Sequence, residues 1–196
     1  MVTGAPPSTR EQLLRAAREL IEEGGYAAAS VIAITTRAGL AAGTLYRHFR
    51  SKEELFVEVF RSVGDRELAA MRRAAGDDGV PHTERLQMVL STFAERALRS
   101  PRLAWALLAE PVDPLVDAER LAYRARYAEL VAGCLRAAVL AGEVPDQDFA
   151  LTAAALVGAC GEALVGPLSR REVGAPAAEA LESLETFSLR AIGAQK

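Results

Sequence analysis

Residues 30–56, SVIAITTRAGLAAGTLYRHFRSKEELF, fit a short apolar helix, a glycine turn, a second short helix and a capped third helix into 27 residues. Few folds accept that rhythm. Ser30 is placed to cap a helix that carries Val31, Ile34 and Ala38 on one face. Gly39 allows the left-handed backbone of the turn, where a Cβ would cost energy. A second helix follows through Leu45, Tyr46 and Phe49, with Leu45 and Phe49 expected to face inward. This layout predicts a helix-turn-helix, whose second helix lies in the major groove of DNA. Thr44, Tyr46, Arg47 and His48 are offered at its surface, and Arg50 and Lys52 follow at once. Hydroxyls and cations grouped in nine residues suit phosphate oxygens and base edges.

The same residues resemble the tetracycline-repressor (TetR) family of bacterial transcriptional regulators. The resemblance rests on Gly25-Tyr26 closing the first helix, on Gly43-Thr44-Leu45-Tyr46-Arg47-His48-Phe49 as recognition helix, and on Ser51-Lys52-Glu53-Glu54-Leu55 opening helix four. It covers residues 8 to 60. It implies DNA contacts from Thr44, Tyr46, Arg47 and His48, with Lys52 on a phosphate at the start of helix four. Ser30, Thr36 and Arg37 are candidates for backbone contacts from the preceding helix. Two departures stand out. Ala41 and Ala42 replace the family's serine cap and the Lys, Arg or Pro that often follows it, a cap loss of about 1 kcal/mol. Ile32-Ala33 replaces a pair that is often polar or charged.

Charge is distributed unevenly. Residues 1 to 52 carry seven Lys or Arg against four Glu, and the remainder sixteen against twenty-two acids. A basic head on an acidic body fits nucleic-acid binding at one end. Enzyme signatures are absent: there are two histidines, His48 and His82, and no G-x-S-x-G, H-E-x-x-H or phosphate-cradling glycine loop. The reading is therefore no enzyme, no metal and no cofactor. Cys134 and Cys160 lack metal-ligand spacing and read as small core residues, with a redox pair as the alternative. The N-terminus shows no export signal. The longest uncharged run in the body, Phe149 to Gly161, is short of the about 20 residues a membrane span needs. The expectation is a cytoplasmic protein without a membrane segment.

Periodicity predicts an all-α chain of nine helices. A flexible arm (1–7) precedes a helix-turn-helix domain (8–52) and a C-terminal ligand-binding and dimerisation domain (53–196), joined through helix four. Ser8 and Glu11 form a capping box for a helix that Gly24-Gly25 stop. Ser51 and Glu54 predict a second box, opening a helix that runs to about Ala75 before Gly76-Asp77-Asp78-Gly79. A fifth helix is expected over Glu84–Leu98. Ser100-Pro101 opens a sixth that Pro111 ends. Asp113-Pro114 opens a seventh reaching about Gly142, 28 residues or about 42 Å. Asp146 starts the eighth, which Gly166-Pro167 terminates. A loop with Arg170, Arg171, Gly174 and Pro176 leads to the ninth, about Ala177 to Ile192.

The small residues of FALTAAALVGACGEALVG in helix eight let another backbone approach closely, and Leu181, Leu184, Phe187 and Ala191 form a stripe in helix nine. These two helices are the expected homodimer interface, completion of a monomer core being the alternative. The TetR resemblance implies a four-helix bundle there, and a small-molecule effector in a cavity lined mainly by helices five to eight. Trp105, Tyr123, Tyr127, Cys134 and Glu162 are candidate lining residues; core packing explains the aromatics equally well. The function implied is a ligand-responsive repressor that binds palindromic double-stranded DNA as a homodimer. The rival is a small-molecule-binding helical protein with a vestigial DNA head.

Overall fold

A computed structural model describes residues 6–76, 79–170 and 175–194. Among the described residues the chain forms nine α-helices and no strand: α1 (Thr9–Gly24), α2 (Val31–Arg37), α3 (Leu45–His48), α4 (Lys52–Ala75), α5 (His82–Arg99), α6 (Pro101–Leu108), α7 (Pro114–Leu140), α8 (Phe149–Arg170) and α9 (Ala175–Ala191). Short 3₁₀ turns, Tyr26–Ala28 and Ala42–Thr44, precede α2 and α3. Asp77, Asp78, Arg171 and Gly174 of the expected loops, and most of the 1–7 arm, lie outside the described residues.

The local signals act as expected at the head. The Ser8–Glu11 capping box is complete. Ser30 Oγ accepts from the Ala33 amide at 3.1 Å, and Gly39 sits at φ 70°. Ser51 Oγ accepts from Glu54 N at 3.2 Å. The second box is only half formed, because the Glu54 carboxylate accepts from the Arg50 amide instead of the cap's own. That bond fixes the extended step between α3 and α4.

Further along, four expectations need correction. Ser100 makes no capping bond, although Pro101 does occupy the first turn of α6. That helix stops at Leu108, three residues before Pro111, because the Arg120 guanidinium collects the carbonyls of Ala106, Leu107 and Glu110 at 2.6–2.8 Å. Helix α8 is capped by Asp148, which accepts from Leu151 N at 2.9 Å, while Asp146 bonds only to the adjacent Gln147 amide. Finally, Pro167 lies inside α8. Its ring deprives the Ala163 carbonyl of a donor, ordinarily a cost of about 3 kcal/mol. The helix continues to Arg170 because Leu164, Pro167 and Leu168 are buried, the two leucines against Ala94, Leu98 and Leu184.

One apolar cluster runs from Leu13 and Ile34 through Leu45, Phe56 and Phe60 to Val131 and Leu156, so head and body share a core along α4. Gly64 sets how closely α7 meets α4, since a Cβ there would lie 2.5 Å from the Tyr123 ring. Helix α8 is long and apolar enough to cross a bilayer by length and composition, with 22% of its most apolar window buried in the chain. Uncharged-run length missed this, because a lone Glu162 divides an otherwise apolar helix.

Candidate nucleic-acid interface and effector cavity

The helix-turn-helix turns its apolar side inward and leaves a polar ridge. Leu45 is fully buried and Phe49 nearly so, with the Arg10 guanidinium 4.9 Å above the Phe49 ring. Tyr46, Arg47 and His48 are exposed, and Thr44 is half-buried. With alanine at position 41, no side chain caps the recognition segment. It opens as a 3₁₀ turn, leaving a four-residue α3.

Arg37 and Lys52 are differently committed. Arg37 grips the Glu23 carboxylate of α1 through both terminal nitrogens, at 2.8 and 2.7 Å, with Glu19 at 3.6 Å. The hydrogen bond from Arg37 holds the Glu23 carboxyl below its ordinary range. The Lys52 ammonium stands 4.9 Å over the Tyr26 ring and 5.3 Å over Phe56. Ser30 and Thr36 are exposed, although the Ser30 oxygen is engaged as a cap. Buried Thr35, which periodicity did not single out, donates to the Val31 carbonyl at 2.9 Å. Replacing Glu23 by Gln is expected to free Arg37 and tighten DNA binding by about two- to fivefold per head, the usual reach of an exposed pair. Fluorescence anisotropy on duplex DNA reads this; weaker binding would mean that the pair orients α2 rather than competing with phosphate.

Inside the body, a cavity of about 280 Å³ opens between α4, α5, α6 and α7. Phe60 and Val63, Leu103 and Leu107, and Tyr123 and Tyr127 give it apolar walls, and Arg18 of α1 reaches its rim. The expectation of α5 to α8 therefore shifts by one helix: α4 is a wall, while α8 borders only a small adjoining space through Val157, Cys160 and Gly161. Among the candidates, Tyr123 and Tyr127 line this α4–α7 cavity. Cys134 borders a separate, more open space of about 350 Å³ with His82, Arg85 and Glu129. Trp105 packs against the second apolar cluster, and exposed Glu162 borders none of these spaces.

Burial together with Asp65 keeps the Tyr123 phenol protonated, its pKa pushed up to about 12; the hydroxyl donates to Asp65 at 2.7 Å. Burial likewise raises Tyr127. It also lifts the Cys134 thiol, and pushes Cys160 up to about 12. Neither cysteine has the depressed pKa of a reactive thiolate.

The cavity and the head share bonded parts. The Arg102 side chain of α6 donates to the Gly24 carbonyl at 2.6 Å, where α1 ends. Glu110, just beyond α6, accepts from the Tyr26 amide at 3.1 Å and faces Arg102 at 3.7 Å. No sequence signal located this latch, because its partners lie 78 and 84 residues apart.

A family profile described as bacterial regulatory proteins, tetR family, matches residues 13–59. The HTH-type transcriptional regulator UidR of Escherichia coli (strain K12) is 32% identical over 159 residues, 80% of each chain. The HTH-type transcriptional repressor KstR2 of Rhodococcus jostii (strain RHA1) is 32% identical over 144 residues, 71% of this chain and 70% of that one. The transcriptional regulator FadR from Bacillus subtilis, solved with stearoyl-CoA, superposes with a TM-score of 0.79 over 92% of this chain and 98% of its own. At 22% identity that likeness speaks to the fold. With the helix-turn-helix, the shared architecture and these relatives together, the chain belongs to the TetR family of DNA-binding transcriptional regulators.

Proposed function

We propose that the protein is a cytoplasmic homodimeric repressor, released from a palindromic operator when a small molecule enters the α4–α7 cavity. The observation that carries this reading is that two cavity walls are also the head's supports. Helix α4 begins at Lys52, capped by Ser51, directly after the recognition segment, and α6 is tied to the end of α1 through Arg102 and Glu110. A ligand that spreads Phe60 from Leu103 would tilt the head and change the distance between paired recognition helices. Those helices must sit about one DNA turn (34–36 Å) apart.

In this reading Thr44, Tyr46, Arg47 and His48 enter the major groove, and Ser30, Thr36, Arg37 and Lys52 follow the backbone. Four phosphate contacts per head would neutralise about eight charges in a dimer, giving a log–log salt slope near −7. The test is selection of an operator from a random duplex pool, followed by anisotropy across salt concentrations. A slope nearer −3 would mean that Ala41, Ala42 and the Arg37–Glu23 pair have stripped the contact set, favouring a ligand-binding protein with a weakened head. Reciprocity adds a second requirement. An inducer that weakens DNA binding a hundredfold, about 2.7 kcal/mol, must bind the DNA complex a hundredfold less tightly than the free protein.

A further inference from the structure

Six arginines and a single glutamate border the α4–α7 cavity. Four of those arginines are already matched by carboxylates. Arg18 meets Glu22 at 2.9 Å, Arg99 meets Glu95 at 2.9 Å, and Arg120 meets Asp117 at 3.1 Å. Arg96 holds Glu67 through two nitrogens, at 2.5 and 2.8 Å, which cancels the cavity's own acid. Arg66 of α4 and Arg124 of α7 remain without a carboxylate partner among the described residues. Both are exposed at the rim, on the two helices that bring Phe60 and Tyr127 to the apolar wall. Arg124 also borders the small adjoining space of about 30 Å³. Two uncompensated guanidiniums beside a low-dielectric wall attract an anion and exclude a cation. A guanidinium fork also fits the two oxygens of a carboxylate or phosphate.

Resting on the effector reading above, we propose that the cavity takes a compact anionic amphiphile of about ten non-hydrogen atoms, taking each as about the 30 Å³ of a liquid water. Its carboxylate or phosphate meets Arg66 and Arg124, and its apolar body lies between Phe60, Leu103, Leu107 and Tyr127.

The test uses the full chain with four eight-carbon probes: octanoate, octyl phosphate, 1-octanol and octylammonium. Calorimetry reads affinity, and operator anisotropy reads release. An anion is expected to bind about tenfold or more tighter than octanol, one charge-assisted contact per guanidinium, and to release DNA. The tighter of octanoate and octyl phosphate identifies the head group. Octylammonium should not bind. In the Arg66→Gln/Arg124→Gln double variant, anion affinity should fall about tenfold or more while octanol is unaffected. Equal binding of octanol, or an unchanged anion affinity in the double variant, overturns the anionic assignment and leaves the cavity intact. If octanol alone binds, the ligand class falls alone. If none of the four binds, the effector reading falls with it.

Discussion

Leu45→Ala is expected to abolish operator binding while leaving most of the helical signal in place. Leu45 is fully buried in the cluster that links α1 and α4 to the recognition segment. Truncating such a leucine ordinarily costs 2–5 kcal/mol, or roughly 4–20 °C in midpoint for a chain of this length. The location raises the functional cost further. Helix α3 has four residues and no capping side chain before it, far below the about 12–15 residues at which a helix holds itself in water. Its orientation therefore comes from the two anchors, Leu45 and Phe49. Tyr46→Ala is the matched comparison. It removes an exposed ring one position away, so stability should stay within about 0.5 kcal/mol while DNA affinity drops. Chemical denaturation followed by circular dichroism, with anisotropy on the same samples, separates the two. Wild-type DNA affinity in Leu45→Ala would show that the recognition helix is not held there.

The contrast between those residues also marks what a linear reading reaches. Ser8, Ser30, Ser51 and Asp113 act on amides two or three positions away, so their caps were legible before any fold existed. Gly39 was legible for the same reason. Leu55, Phe56, Val59, Phe60 and Val63 recur at helical spacing, which alone puts them on one face, and all five are buried. Where several local solutions compete, spacing alone does not choose among them. Asp146 and Asp148 are both suitable caps by residue type, and the Leu151 amide pairs with Asp148. Gly166-Pro167 would end an isolated helix, but burial around Leu164 and Leu168 is a tertiary effect that sequence spacing does not express. The cavity was placed one helix too late because its walls meet across sixty residues, as in the Phe60–Tyr123 contact with centroids 5.6 Å apart. The pairing of Arg37, a candidate for a backbone contact, is not legible because its acidic partners sit on α1, fourteen and eighteen residues earlier. A surface charge can be counted from sequence, but its engagement cannot.

Gly158→Arg is expected to convert the protein from two chains of 20.9 kDa to one and to weaken operator binding by about 10²–10⁴-fold, the avidity a second linked head supplies. The argument begins with what α8 leaves uncovered. Ala154, Ala155 and Gly158 are exposed beside Leu151, which is 68% accessible, and Phe187 of α9 is half exposed. A Cβ built on Gly158 or Gly161 meets nothing within 4 Å. Exposed alanines suit any helix, but Gly158 costs helix stability, and glycine with alanine beside exposed Leu151 lets another backbone come close. A two-fold pairing of α8 and α9 places those surfaces against their own copies, in keeping with the self-complementary interfaces of dimers. Because position 158 faces open space in the single chain, an arginine there should not disturb the protomer. Sedimentation equilibrium and thermal melting on one preparation distinguish the cases. A folded monomer with weak DNA binding supports pairing through α8 and α9. A folded dimer with unchanged affinity would place the interface elsewhere and return the open stripe on α8 to an unexplained surface.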